Sequence, residues 1–161
     1  MKTRKFFTCF IMSIFFFAWI ALKVSDSYAE DKPQKTYAGS LACQPCHETE
    51  YKNFQQYAKK AGSFSSVMIM KKGLTPSELS GCYECHTTGY GESGGFVSEK
   101  ETPHLKNAGC EVCHGPGSLH VQTQDPLQIK GSLTIKDCEK CHINEKVKAF
   151  NYKPMIHGGA H

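Results

Sequence analysis

Four copies of one pattern, Cys-x-x-Cys-His, constrain this chain more than any other feature. They read CQPCH at 43–47, CYECH at 82–86, CEVCH at 110–114 and CEKCH at 138–142. The pattern attaches c-type haem: both thiols form thioether bonds to haem vinyl groups, and the adjoining imidazole binds the iron from the proximal side. If His follows a random CxxC about one time in forty, from a roughly 2% share of average composition, four in four is not chance. Cys43, Cys46, Cys82, Cys85, Cys110, Cys113, Cys138 and Cys141 are therefore expected as thioether donors. His47, His86, His114 and His142 are the expected proximal iron ligands, and four haem c the expected cofactors. Two competing readings fit less well. Disulfides suit eight cysteines in a short secreted chain, but need no His after every second Cys. Two zinc ribbons would use paired CxxC and leave four histidines unexplained.

The N-terminal residues carry an address. Lys2, Arg4 and Lys5 form a basic start, 6–22 is an almost unbroken apolar run, and Ser27 and Ala29 put small residues at a cleavage site. Residues 1–29 thus read as a secretory signal, with the mature chain beginning at Glu30. Export suits the motif, because c-type haem is attached outside the bacterial cytoplasm, and the expected location is the periplasm. Cys9 lies inside the signal, so every remaining cysteine belongs to a motif. The competing reading is an uncleaved anchor, since the apolar run is about the minimum length for a span. Membrane association follows only if that segment is retained.

Four of the 19 basic and one of the 15 acidic side chains fall within 1–29, so 30–161 carries a formal +1. Eight ionised propionates would bring the loaded protein to roughly −7. That argues against nucleic acid as a partner and mildly favours a basic surface on another redox protein. The 132 residues left after the signal allow about 33 per haem, and their apolar side chains are thinly spread. A single domain over 30–161 is expected, with the haems as its core and a fold that depends on binding them, as at structural metal sites.

Periodicity supplies the expected elements. A helix over 47–60 would carry Tyr51, Phe54 and Tyr57 at i, i+3 and i+6 as a packing face, and a second would span 64–72, stopped by Gly73. Thr75-Pro76-Ser77-Glu78 reads as a helix start, with Thr75 as cap, running into the second motif. Four glycines in 89–95, followed by Phe96-Val97, suggest a turn or small hairpin, with plain loop as the alternative. Residues 104–114 are expected to be helical through the third motif until Gly115-Pro116-Gly117, and 134–146 carries the fourth.

Beyond the proximal set, His104, His120, His157 and His161 are the candidate distal ligands. One spare per haem invites bis-His coordination throughout, hence low-spin iron and pure electron transfer. The alternative for each is a solvent-exposed histidine. Met68, Met70 and Met155 could ligate iron and raise its potential, but packing is the expectation for all three.

From Tyr37-Ala38-Gly39-Ser40 to about residue 161 the chain resembles the cytochrome c-554 family of tetrahaem electron carriers. The most specific part is 81–117, GCYECHTTGYGESGGF and then HLKNAGCEVCHGPG, with CH-x-x-G-aromatic-G between two motifs and CHGPG closing. The resemblance implies a mainly α, irregular multihaem cytochrome c fold, in which short helices and loops wrap four haems stacked in close pairs. It implies that His120, a few residues past the third motif, is a distal ligand, and that His157 with His161 stands in for the family's C-terminal Met-His-x-His. The family's third distal His, in the helix after the first motif, has no counterpart: 54–64 holds Lys59, Lys60 and Gly62 instead. Lys59 or Lys60 could coordinate if burial deprotonated it, though a solvated helix face is the expectation. His104 stands where the family has no ligand and could compensate. By the same resemblance the iron at His86 tends to be five-coordinate. The chain is also shorter after its fourth motif, so its docking surface there differs.

Three function classes are consistent with these residues. The first is a periplasmic electron-transfer protein that orients and tunes haems carrying the electron, with quinol-linked or periplasmic cytochromes and oxidoreductases as partners. The second is a reductase of nitric oxide, hydroxylamine or a sulfur oxyanion at an open iron, with Glu84, Glu111 and His104 as nearby acid–base candidates. The third is an oligomer, a cytochrome filament in which His161 ligates a neighbour's haem.

Overall fold

The computed structural model describes residues 33–143. The expectations for the signal or anchor, and for Met155, His157 and His161, fall outside the described residues. The chain divides into two units, Met1–Gln34 and Lys35–His161, and all four motifs belong to the second. Among the described residues the secondary structure is helical and irregular, without strands, as a mainly α fold requires. No described helix is long and apolar enough to cross a membrane.

Helix α1, Glu48–Tyr57, leaves directly from the first motif, with Glu48 and Glu50 in its first turn where the helix dipole favours carboxylates. It ends earlier than expected, and the chain tightens into a 3-10 turn at Lys59–Gly62. Phe54 is buried, but Tyr57 is 60% exposed. Six residues at about 100° each carry Tyr57 some 120° around the helix from Tyr51, so the three aromatics share no face.

Helix α2, Ser63–Met70, buries Ser63, Phe64 and Val67 and closes through a 3-10 turn, Lys71–Gly73. Helix α3, Pro76–His86, begins as its sequence dictates. The Thr75 amide donates to the Glu78 carboxylate at 2.8 Å, and the Glu78 amide donates back to the Thr75 hydroxyl at 3.3 Å. The second motif forms its last turns. The glycines of 89–95 then make consecutive turns rather than a hairpin, closed by the Phe96 amide donating to the Thr88 carbonyl at 2.9 Å.

The core is small. Phe64, Phe96 and Leu105 are its buried centre, with Tyr37, Met68, Tyr83 and Tyr90 packed against them. Tyr83 lies edge-on to Phe96 and Tyr90, with ring centroids at 5.3 and 5.4 Å. Met68 packs as expected, whereas Met70 is exposed.

The expected helix over 104–114 does not form. Only a 3-10 turn, Pro103–Leu105, and helix α4, Glu111–His114, are present there. Three consecutive amides between them are drawn to side-chain hydroxyls. Ala108 donates to Ser63 Oγ at 2.9 Å, Gly109 to Thr88 Oγ1 at 2.9 Å, and Cys110 to Ser40 Oγ at 3.0 Å. Amides so engaged cannot serve an i−4 ladder. A Cβ at Gly109 would strike Ser40 Oγ, which is why glycine precedes the motif. Helix α5, Ser118–Thr123, follows the Gly-Pro-Gly break, and α6, Ile135–Glu139, opens the fourth motif. The Thr134 amide donates to the Asp137 carboxylate at 2.8 Å and fixes the start of α6.

Candidate haem-attachment site

Each motif closes one helical turn. The amides of His47, His114 and His142 donate to the carbonyls of Cys43, Cys110 and Cys138 at 2.9, 3.1 and 2.9 Å, and the second motif lies within α3. Residues at i, i+3 and i+4 share one face of a turn, so both sulfurs and the imidazole of every motif point to the same side. All eight described cysteines are free thiols, and among the described residues no three His, Cys, Asp or Glu are gathered as a metal cluster requires. The arrangement is that of turns built to be bridged by a planar group.

Backbone carbonyls fix three of the imidazoles. His86 Nδ1–H donates to the Ser63 carbonyl at 3.0 Å, and Ser63 Oγ–H returns a bond to the His86 carbonyl at 2.8 Å. His114 Nδ1–H donates to the Lys130 carbonyl at 2.6 Å, and His120 Nδ1–H to the Asp125 carbonyl at 2.9 Å. A carbonyl only accepts, so Nδ1 carries the proton and Nε2 keeps its lone pair for a metal. His120 belongs to no motif, yet it is held as His86 and His114 are.

His120 also faces the first motif. The His47 and His120 rings lie with centroids 6.3 Å apart, tilted by 31°. An iron at about 2.0 Å from each Nε2 would set the ring centres about 6 Å apart, so this pair fits an iron between them. The other candidates are placed differently. His104 is exposed in the Pro103–Leu105 turn, against Gly39. Lys59 is exposed, as the solvated reading has it, while Lys60 is half-buried with its charge acting on Cys138, Cys141 and His142. Glu111 is occupied by three backbone amides rather than turned toward a distal face.

The motifs meet in two pairs through their sulfurs. Cys43 and Cys110 lie close enough for their thiols to interact, which pushes the Cys43 thiol up and brings Cys110 down to about 6. Cys141 is pushed up to about 12, first by burial and then by its hydrogen bond with Cys85. A pocket between the third and fourth motifs is lined by Tyr37, Tyr90, Cys113, His114 and Cys141.

Lys130 ties the third motif to the fourth. Its carbonyl receives His114, and its ammonium binds Asp137 at 2.5 Å. That hydrogen bond, followed by the Thr134 amide, holds the Asp137 carboxyl well below the usual carboxylate range. A depressed carboxyl stabilises the fold above its unfolded pKa of about 4, and the contribution is lost as pH falls through the folded value. Hydrogen exchange should show the amides of 134–142 losing protection first below pH ~4. Asp137→Asn should lower their protection at neutral pH and flatten that acid response; an unchanged acid profile would contradict this linkage.

Comparison with known proteins agrees with this geometry. Residues 42–115, which span the first three motifs, match the family described as cytochrome c554 and c-prime. The chain is 30% identical over 155 residues to cytochrome c-554 of Nitrosomonas europaea, an alignment covering 79% of this chain and 65% of that protein. No solved structure is significantly similar to it. The chain belongs to the cytochrome c-554 family, a family of c-type cytochromes, and membership implies covalently bound haem c. It spans 65% of the relative's length, just under two thirds.

Some site residues were not legible in the sequence. Ser40, Ser63 and Thr88 support the motifs through hydroxyls, and nothing in their local spacing marks them. Asp125 carried a signal, since Asp-Pro favours turn initiation. Its side chain accepts from the Leu127 amide at 2.9 Å and shapes the turn whose carbonyl holds His120.

Proposed function

We propose that this chain is an exported, periplasmic electron carrier with four haem c groups, one on each Cys-x-x-Cys-His turn. The observation that carries the reading is the fourfold recurrence of that turn, each with two sulfurs and an imidazole on one face. Bound haem supplies the one-electron chemistry of its iron. The protein's part is to hold and orient. Cys43 and Cys46, Cys82 and Cys85, Cys110 and Cys113, and Cys138 and Cys141 anchor the four groups. His47, His86, His114 and His142 ligate from the proximal side, and His120 completes the coordination opposite His47. Contact between Cys43 and Cys110, and between Cys85 and Cys141, supports close pairing of the first site with the third and of the second with the fourth. The negative charge of the loaded chain suits a redox partner with a basic docking face.

The test is to export the chain from a host that matures c-type cytochromes and weigh the product. The expected mass is the polypeptide beginning at Glu30 plus four haems, with reduced spectra of c-type haem. Fewer than four attached groups would overturn the reading.

A further inference from the structure

We propose that Glu111 is the positioning residue that sets the His47–His120 pair. The inference rests on the four-haem reading, in which those histidines share an iron. Glu111 is the second residue of the third motif and is 2% exposed. Its Oε1 accepts from the Ala38 amide at 2.9 Å and the Gly117 amide at 2.7 Å, and its Oε2 accepts from the Gly39 amide at 2.7 Å. Hydrogen bonds to a buried carboxylate are short and strong, and one that lost its donors would be costly to bury.

The three amides belong to the two segments that bear the histidines. Gly39 is the N-cap of the 3-10 turn Ser40–Cys43, which enters the first motif and His47. Its φ of +82° suits glycine and aims its amide at the carboxylate. Gly117 is the N-cap of α5, which carries His120. A helix of six residues cannot sustain itself, so its position comes from what holds its ends. The bond from His120 to Asp125 orients the ring but spans only five residues, and does not place α5 against the first motif. One carboxylate inside the third motif therefore holds both halves of another motif's ligand pair. Neighbouring bonds run along the same seam: the Thr36 amide to Ser118 Oγ at 2.9 Å, and the Ser118 amide to the Thr36 carbonyl at 3.1 Å.

The fit is specific to a carboxylate. Glutamine could keep the two amides on Oε1, but its amino group would face the Gly39 amide, donor against donor. In the holoprotein, Glu111→Gln is expected to raise the carbon monoxide-reactive fraction of the iron between His47 and His120 about thirtyfold, the factor for losing one charge-assisted hydrogen bond. Haem count stays at four, and free imidazole returns the iron to low spin. His120→Ala identifies which signal belongs to that iron, and Glu111→Gln adds nothing further in the His120→Ala background. An unchanged response to carbon monoxide, an equal response at every iron, or an additive effect in the double variant overturns the proposal. If Glu111→Gln does not mature, Ser118→Ala removes one bond of the seam and should give the same site-specific change at smaller amplitude; no change there also overturns it. A parent protein with fewer than four haems removes the four-haem reading and the proposal with it. Four haems in the parent, with any of the overturning responses in the variants, removes the proposal alone.

Discussion

Replacing Cys110 and Cys113 with alanine is expected to abolish the folded protein, whereas the same change at Cys138 and Cys141 should cost one haem and leave the remainder intact. The asymmetry follows from where tertiary hydrogen bonds converge. The third motif and its lead-in take hydroxyls from Ser40, Ser63 and Thr88, and send the Glu111 carboxylate to three amides. With about 1 kcal/mol for each neutral bond and about 2 for each charge-assisted one, these six come to about 9 kcal/mol. That is comparable to the whole stability of a domain, about 5–15 kcal/mol. They persist only while the motif is held in place, and with so few buried apolar side chains among the described residues the attached haem is what holds it. Among the described residues the fourth motif joins through fewer hydrogen bonds, chiefly Lys130 to Asp137. Mass, far-ultraviolet circular dichroism and proteolysis of the two secreted variants check the contrast. A third-motif variant that accumulates with three haems and native helicity would refute it, as would equal loss of both.

What the sequence made legible, and what it hid, divides by range. The motifs needed only spacings of three and four residues. The start of α3 needed only Thr75, Pro76 and Glu78, and it forms as written. The helix expected over 104–114 failed because its competitors are remote: Ser40 lies 70 residues from Cys110, and Ser63 lies 45 from Ala108. No local window contains them. Glu111 likewise read as a titratable group near a distal face, since two of its donors, Ala38 and Gly39, are 73 and 72 residues away. Spacing alone left His120 among four spare histidines and only the resemblance singled it out; the bond from its Nδ1–H to Asp125 and its approach to His47 set it apart from His104 among the described residues. The family match ends at residue 115 and does not reach it. Tyr57 was a misjudged face, because a spacing of i+6 does not return to the same side of a helix.

His120→Ala should open one iron and leave the others as they were. The side chain is half-buried on a short helix, so its removal disturbs little packing. With Nδ1 bound to the Asp125 carbonyl, Nε2 is the nitrogen left to ligate, and alanine offers no replacement. The reduced variant should bind carbon monoxide at one more iron than the parent does. Its potential at that iron should rise by ~60 mV for every tenfold preference of the lost imidazole for oxidised over reduced iron. Added imidazole should reverse both changes, because the cavity left by the ring admits one. His104→Ala is the control: this histidine is exposed in the Pro103–Leu105 turn, and its loss should leave spectrum and potentials unchanged. If His120→Ala gains no site for carbon monoxide, or if His104→Ala gains the same one, then the 6.3 Å approach of His47 and His120 is not an iron site.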